Sequence, residues 1–150
     1  MAALDPQEVS DRLEIEMLLT RYCTAIDAKN FDLLDEVFTE DAVIDYTSSA
    51  PGVRGNRGEM KKWLSEVLSG FAMTQHLVAN KAIEINGDTA TGRTMLYNPM
   101  GWLNEKGDLE VFFVGGYYND RFVRTALGWR IAHRVEEQSW ATGARPPGVS

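Results

Sequence analysis

Residues 74–102 read TQHLVANKAIEINGDTATGRTMLYNPMGW, and this stretch decides the fold class. Apolar and polar residues alternate on both sides of Asn86-Gly87-Asp88, and an Asn-Gly pair between two alternating runs is typical of a tight β-hairpin. The strand pattern continues after residue 102, so the second half of the chain is predicted to be a meander of antiparallel strands. The predicted strands cover residues 74–85, 89–102, 109–124 and 129–140.

The first half of the chain is predicted to be mainly helical. The run Asp5-Pro6-Gln7-Glu8 combines an N-cap carboxylate, a proline at the first helical position and a glutamate at the third, so a helix begins here. Lys29-Asn30 ends it. Its apolar residues recur at spacings of three and four and form one face: Ile15, Leu18, Leu19, Tyr22 and Ile26. Two further helices are predicted over residues 31–38 and 57–69, and a short strand is predicted between them over residues 42–46.

Helices followed by long antiparallel strands indicate an α+β fold, with three N-terminal helices packed on a strongly curved, mostly antiparallel sheet. A curved sheet wrapped on helices makes a cone with a pocket between the layers. Glycines inside the predicted strands fit such curvature: Gly92, Gly101, Gly115 and Gly116. We predict one domain over residues 1–142 and a flexible tail over residues 143–150.

The composition narrows the class of protein. The net charge of −7, from 15 basic and 22 acidic side chains, argues against binding to nucleic acid or to an anionic membrane surface. No apolar run approaches the roughly 20 residues of a membrane span, and the first residues do not resemble a secretion leader. We therefore expect a cytoplasmic protein. The lone Cys23 excludes an internal disulfide, and two distant histidines leave too few ligands to predict a metal site.

Two residues suggest catalysis: His76, near the start of a predicted strand, and Asp27, where the first helix ends. A carboxylate that fixes the tautomer of an imidazole makes a general base that works near neutral pH. A carboxylate near a helix C-terminus is disfavoured by the helix dipole by about 0.3–1 kcal/mol, so Asp27 needs a compensating partner. His76 is one candidate. The alternatives are that His76 only hydrogen-bonds within the fold and that Asp27 pairs with Lys29 or a solvent cation.

The chain resembles a known family in its order of elements and in two segments, Phe38-Thr39-Glu40-Asp41-Ala42 and Gly128-Trp129-Arg130-Ile131. These are similar to the SnoaL-like branch of the nuclear transport factor 2 (NTF2) superfamily, and the resemblance extends to about Trp140. Scytalone dehydratase, hexachlorocyclohexane dehydrochlorinase and bile acid 7α-dehydratase are the similar groups with known chemistry. All three are cofactor-free lyases with an Asp–His pair, so the resemblance implies an NTF2-like cone and an enzyme that needs no cofactor.

The resemblance implies roles for individual residues. Asp27 matches the helix-end aspartate of the family and His76 its strand histidine, which together would form the general base. Tyr46 and Tyr22 match substrate-facing tyrosines of scytalone dehydratase and the bile acid enzyme. Arg134 falls near an active-site arginine of the dehydrochlorinase, so a catalytic role is predicted for it.

Two positions depart from the family pattern. Met100 stands where scytalone dehydratase carries a second histidine, and Asn98 stands where the bile acid enzyme has an aspartate. Asn98 is expected to point toward the pocket and to bind substrate. Since no single relative is matched throughout, the resemblance leaves the substrate open.

The last predicted strand leaves one orientation unresolved. Simple alternation places His133 with the apolar set of Trp129 and Ile131, and places Arg134 in water. If a subunit interface covers the outer face, Trp129 and Ile131 instead face a partner chain and Arg134 faces the pocket.

The predicted function is a cofactor-independent, dehydratase-like elimination on a small hydrophobic ring substrate, with Asp27 and His76 as the base. One alternative is an isomerase or cyclase that shifts a proton with the same base. Another is a non-catalytic ligand-binding protein, or one similar to a dioxygenase small subunit. Besides the small hydrophobic ligand, the expected partners are copies of the same chain, as a trimer or else a dimer formed through the sheet face.

Overall fold

The computed structural model describes residue 3, residues 5–49 and residues 52–149. Within these ranges, the helices α1 and α2 cover Pro6–Asp27 and Arg57–Val67. Two short 3₁₀ helices cover Phe31–Glu36 and Leu68–Gly70. The strands are β1 (Phe38–Asp45), β2 (Arg54–Gly55), β3 (Met73–Thr74), β4 (Leu77–Asn86), β5 (Thr89–Leu103), β6 (Leu109–Thr125) and β7 (Gly128–Gly143).

The strands form one sheet in the order β2-β1-β7-β6-β5-β3, with β4 also paired to β5. Only the β1–β7 pair is parallel among the pairs of the described residues. The helices lie on the inner face of this strongly curled sheet, so the predicted α+β class and the predicted hairpin meander are confirmed. No helix in the described ranges is long and apolar enough to cross a membrane.

The helices differ from the prediction in one respect. The first begins as expected, because the Asp5 side chain accepts a hydrogen bond from the Glu8 backbone N–H at 2.8 Å. The short second helix predicted over residues 31–38 is a 3₁₀ helix of six residues, Phe31–Glu36. Its tighter turns connect α1 to β1 within a short segment, and Phe38 already belongs to β1. The cone is therefore built on two α-helices and short 3₁₀ turns rather than on three α-helices.

The strand predicted over residues 74–85 is interrupted. β3 ends at Thr74 and β4 begins at Leu77, although both pair with β5 in the same register. Pro99 of β5 lies opposite the gap and has no N–H to donate to the neighbouring strand. The His76 backbone N–H points to the Asp27 carboxylate, 2.9 Å away, instead of to β5. The gap places His76 beside the end of α1.

A β-bulge in β7 decides which side chains face the core. His133 pairs with Arg121, but Ile131 pairs with Phe122, so Ala132 is an extra residue in β7. The extra residue shifts the alternation of inward and outward side chains by one position. Ile131 before it and Arg134 after it therefore both point inward. The expectation that Arg134 lies in water and His133 inside is wrong: Arg134 is 0% exposed, whereas His133 is half-buried on the outer face.

The alternative arrangement for β7 is also wrong, because Trp129 and Ile131 are buried within this chain and do not face a partner. Trp129 packs on the predicted apolar face of α1, all of which is buried. A polar contact holds the same layers together. Arg124 donates two hydrogen bonds to the Asp11 carboxylate, at 2.7 and 2.8 Å, and the Trp129 indole N–H donates a third at 3.1 Å. The Arg124 hydrogen bonds hold the pKa of Asp11 well below its usual range.

Residues after β7 lie against the mouth of the cone. The Trp102 indole N–H donates to the Ala144 carbonyl at 2.9 Å, and the Arg145 guanidinium lies 4.7 Å from the centre of the Phe112 ring. Pro146 is buried. The flexible tail over residues 143–150 stays a prediction, but in the structure Ala144 and Arg145 contact the sheet.

Candidate active site

A cavity lies between the inner face of the sheet and the two helices. Its volume is about 90 Å³. Most of its lining is apolar, and its polar side chains come from different elements: Tyr22, Tyr46, Ser49, His76, Asn98, Tyr118, Glu136, Gln138 and Arg145. An apolar cavity with a few converging polar groups is typical of a small-molecule site.

The structure brings Asp27 and His76 together. Asp27 is the last residue of α1, and its Oδ1 lies 2.6 Å from the Nδ1 of His76. The same carboxylate accepts the His76 backbone N–H at Oδ2 and the Thr74 hydroxyl at Oδ1, both at 2.9 Å. The last residue of β3 and the segment between β3 and β4 therefore supply three hydrogen bonds to one carboxylate, which holds the His76 ring in a single orientation.

These contacts determine the charge state of Asp27. Partial burial raises the pKa of the carboxyl, but the hydrogen bonds and charge of His76 and the hydroxyl of Thr74 outweigh it, so the pKa lies below its ordinary value. The predicted alternative of an Asp27–Lys29 pair is wrong, since the Lys29 ammonium donates to the Phe71 carbonyl at 2.6 Å. An ionised Asp27 favours the tautomer of His76 with its proton on Nδ1, which leaves Nε2 as the basic nitrogen.

Three tyrosines surround the other side of the cavity. The hydroxyls of Tyr22 and Tyr46 lie 2.7 Å apart, so one donates to the other. Tyr118 stacks on Tyr46 with ring centres 6.2 Å apart, and the edge of Tyr22 meets His76 at the same distance. Burial raises the pKa of all three phenols, so each is a neutral hydroxyl at physiological pH.

Arg134 lies behind these tyrosines. It is not among the residues that line the cavity, and its guanidinium lies 3.9 Å from the ring centre of Tyr118 and 4.3 Å from that of Tyr22. Its Nε and Nη2 donate to the two carboxylate oxygens of Asp120, both at 2.7 Å. Burial disfavours the cation, but the Asp120 charge raises the pKa of Arg134 well above its ordinary range. Arg134 therefore lies against the tyrosines, behind the wall of the cavity.

Asn98 is positioned as predicted, on the cavity wall. It is 7% exposed, and within the described part of the chain its Oδ1 has no hydrogen-bond partner. A buried unpaired polar atom beside a cavity is a candidate contact for a ligand. Met100, predicted to stand where scytalone dehydratase carries a second histidine, also lines the cavity.

Sequence reasoning missed Asp120 and Glu136. Asp120 interrupts the aromatic pattern of Tyr118 and Phe122 on β6, which marks it as an unusual polar residue, but it lies opposite Arg134 only because the bulge at Ala132 shifts the register. Glu136 carried no such signal, because only the bulge at Ala132 turns it inward. Cys23 does not line the cavity. Its burial raises the pKa of the thiol to about 11, and we interpret it as a packing residue.

The comparisons with known proteins agree with this architecture. The SnoaL-like domain model matches residues 7–135, and the chain belongs to this family. The uncharacterized protein Rv2910c of Mycobacterium tuberculosis is 46% identical over 133 residues, which cover 89% of this chain and 88% of that protein. The structure of Kfla4162 from Kribbella flavida matches 90% of this chain and 95% of its own, with 27% identity and a TM-score of 0.82.

More distant structures show the fold alone. A scytalone dehydratase-like protein from Novosphingobium aromaticivorans is 22% identical with a TM-score of 0.78, and covers 95% of this chain and 97% of its own. A hexachlorocyclohexane dehydrochlorinase, LinA type 2, is 17% identical with a TM-score of 0.76 over the same shares. An NTF2-like protein from Salmonella enterica has 17% identity and a TM-score of 0.72, again over the same shares. This fold therefore occurs in proteins that are named as lyases.

Proposed function

We propose that this protein is a cofactor-independent lyase that eliminates a leaving group from a small hydrophobic ring substrate. The observation that carries the proposal is the 2.6 Å contact between Asp27 Oδ1 and His76 Nδ1 at the wall of a largely apolar cavity. An imidazole whose Nδ1 is held by an ionised carboxylate presents Nε2 as a general base.

In the proposed reaction, His76 Nε2 takes a proton from a carbon of the substrate. The electron pair of that C–H bond forms the new double bond as the neighbouring bond to the leaving group breaks. Asp27 stabilises the imidazolium that His76 becomes. Tyr22 and Tyr46, neutral and hydrogen-bonded to each other, can donate to an oxygen on which negative charge develops, and Asn98 orients the ring through its unpaired amide oxygen.

Arg134 enters the proposal as a positioning residue. It does not line the cavity, and its stacking on Tyr22 and Tyr118 fixes both rings. Its charge also favours negative charge on the tyrosine hydroxyls, which strengthens them as donors. The names of the dehydratase-like and dehydrochlorinase neighbours support an elimination, and an isomerase using the same base is distinguished by a product that has lost no leaving group.

The proposal is tested with 5-nitro-1,2-benzisoxazole, a small aromatic compound that reports C–H deprotonation. A base removes its C3 proton, the N–O bond breaks, and a coloured cyanonitrophenolate forms. We expect the wild-type protein to accelerate this reaction and His76→Ala to return it to the rate in buffer. The matched control is His133→Ala, since the second histidine lies on the outer face and should leave the rate unchanged. Equal rates for the wild type and His76→Ala would contradict the proposed base.

The protein is also proposed to be a homotrimer formed through the outer face of the sheet. An apolar surface lies there, with members on β4, β5 and β7 that are 37–48% exposed: Leu77, Met95, Tyr97 and Trp140. The Tyr97 ring stacks on Phe113 and lies at a tilt to Trp140. The Trp140 ring lies over Gly115, where the Cβ of any other residue would come within 2.2 Å of the ring. Continuous exposed apolar surface of this kind is typical of an interface.

The assembly is tested by light scattering coupled to gel filtration. We expect a mass of three chains for the wild type and a shift to one chain for Tyr97→Lys, because a buried lysine ammonium without a partner opposes association. Leu127→Lys is the control, since Leu127 is 83% exposed in the β6–β7 turn, away from this surface. A wild-type protein with the mass of one chain would overturn the proposal, and a mass of two chains would replace the trimer with a dimer.

A further inference from the structure

Glu136 is a buried carboxyl on the wall of the same cavity as His76. It lies on β7, is 9% exposed, and hydrogen-bonds through Oε1 to the Ser49 hydroxyl. No lysine, arginine or histidine nitrogen of the described residues lies within 4.0 Å of its carboxylate oxygens. Glu136 therefore has few groups that stabilise a negative charge, whereas the Asp27 carboxylate accepts three hydrogen bonds from Thr74 and His76.

The environment of Glu136 favours the neutral acid. Burial without a cationic partner disfavours the charged form of a carboxyl. Burial raises the pKa of Glu136, against the opposing effects of the Ser49 hydrogen bond and of the charges of His76 and Arg134. The other ionisable groups facing it are the buried phenols, on which it acts in turn, and Arg145 at the mouth. Of the two carboxyls, only Glu136 lines the cavity, whereas Asp27 holds His76. A neutral acid and a base on one cavity wall are a pattern of acid and base pairs.

Local contacts hold the carboxyl in place in both protonation states. The Ser48 hydroxyl donates to the Glu136 carbonyl at 2.8 Å and accepts the Gln138 backbone N–H at 3.0 Å, which ties the segment after β1 to β7. The Ser49 hydroxyl also lies 3.3 Å from Gln138 Oε1. Because a hydroxyl both donates and accepts, Ser49 can donate to Gln138 while accepting the proton of the neutral acid, or donate to the carboxylate after that proton has left.

We propose that Glu136 is the general acid that protonates the leaving group, and that the leaving group is consequently an oxygen, as in a β-hydroxy carbonyl compound. The inference rests on the proposed function of His76. As His76 Nε2 takes the carbon proton, the C–H electron pair becomes the double bond, the C–O electron pair passes to the oxygen, and that oxygen receives the Glu136 proton and leaves as water. The imidazolium of His76 then returns its proton to the Glu136 carboxylate through water, so the net reaction is loss of water. A halide would leave without a proton and would need no such acid.

The leaving-group dependence of the reaction tests this role. The probes are 5-nitro-1,2-benzisoxazole, whose phenolate leaves easily, and unsubstituted 1,2-benzisoxazole, whose phenolate leaves poorly and gains more from an acid. Glu136→Gln keeps the shape of the side chain without the acidic proton. We expect it to slow the unsubstituted probe by roughly tenfold or more relative to the nitro probe. Glu137→Gln is the matched control, because the neighbouring carboxylate is exposed, pairs with Arg93 and should affect neither probe.

Carbon-13 NMR of side-chain-labelled glutamate provides a readout that does not depend on turnover. The Glu136 carboxyl signal is assigned by its absence in Glu136→Gln, and we expect it to titrate above the ordinary glutamate value of about 4.3. Titration at or below that value, or equal slowing of both probes, would overturn the proposed acid. If His76→Ala retains full activity, the proposed base fails instead, whatever the NMR titration shows, so the two failures are distinguishable.

Discussion

Replacing Asp27 with asparagine is expected to slow elimination of 5-nitro-1,2-benzisoxazole by about 10²–10⁴-fold while the fold is retained. The carboxylate accepts hydrogen bonds from the Thr74 hydroxyl, the His76 backbone N–H and His76 Nδ1. An amide offers one oxygen and one NH₂ group, so at least one of these donors would face another donor. The amide also lacks the negative charge that stabilises an imidazolium. The rate constant at pH 7 measures the loss, and Asp35→Asn, at an exposed pair with Arg57, is the control.

A double variant shows whether Asp27 and His76 act together or independently. If Asp27 acts only through His76, then Asp27→Asn combined with His76→Ala should be no slower than His76→Ala alone, because residues that work as a unit are not additive. Multiplication of the two single losses would instead mean that Asp27 contributes by another route. Circular dichroism and gel filtration confirm that each variant is folded.

The single variant Asp27→Asn is also expected to change how the free energy of unfolding depends on pH. The pKa of Asp27 is lower in the folded protein than its ordinary value, so its ionised form stabilises the fold above the unfolded value of about 3.9. That contribution is lost as the pH falls through the folded pKa. The difference in free energy of unfolding between the wild type and Asp27→Asn should therefore shrink below about pH 4, as measured by urea unfolding across that range.

Removing the carboxylate of Asp120 is expected to destabilise the fold by about 3–5 kcal/mol, because it leaves the guanidinium of Arg134 buried without its partner. Both side chains are 0% exposed, and two 2.7 Å hydrogen bonds join them. The measurement is urea unfolding of Asp120→Ala at pH 7. The exposed pair of Arg93 and Glu137 provides the control: Glu137→Ala should shift the unfolding midpoint far less, because solvent screens that pair.

A second substitution identifies the source of the destabilisation. If the unpaired cation is the cause, then Asp120→Leu combined with Arg134→Met should be more stable than Asp120→Ala, since apolar residues often replace a buried ion pair at little cost. The double variant should nevertheless lose elimination activity, because Tyr22 and Tyr118 no longer stack on a cation. A double variant less stable than Asp120→Ala would mean that the packing of the pair, and not its charge, dominates.

Features that depend on neighbours in sequence were predictable from the sequence. The Asp5 cap, the apolar face of α1 and the hairpin at Asn86-Gly87 each depend on a few consecutive or regularly spaced residues, and all three occur in the structure. The proximity of Asp27 to His76 required more, because 49 positions separate them in the chain. It was predictable only through the family resemblance, which carries the geometry of the fold with it.

The sequence by itself therefore determined the α+β class and the meander, because periodicity and local turn chemistry specify these, and it indicated the candidate base through the family resemblance. The tertiary structure alone decided what lies on the inner face of β7. One extra residue, Ala132, reverses the alternation and turns Arg134 and Glu136 inward, and this bulge depends on pairing with β6, which strand periodicity does not reveal. The opposite charge preferences of Asp27 and Glu136 were likewise hidden, because burial and partners distant in the chain, and not residue type, set the pKa of a carboxyl.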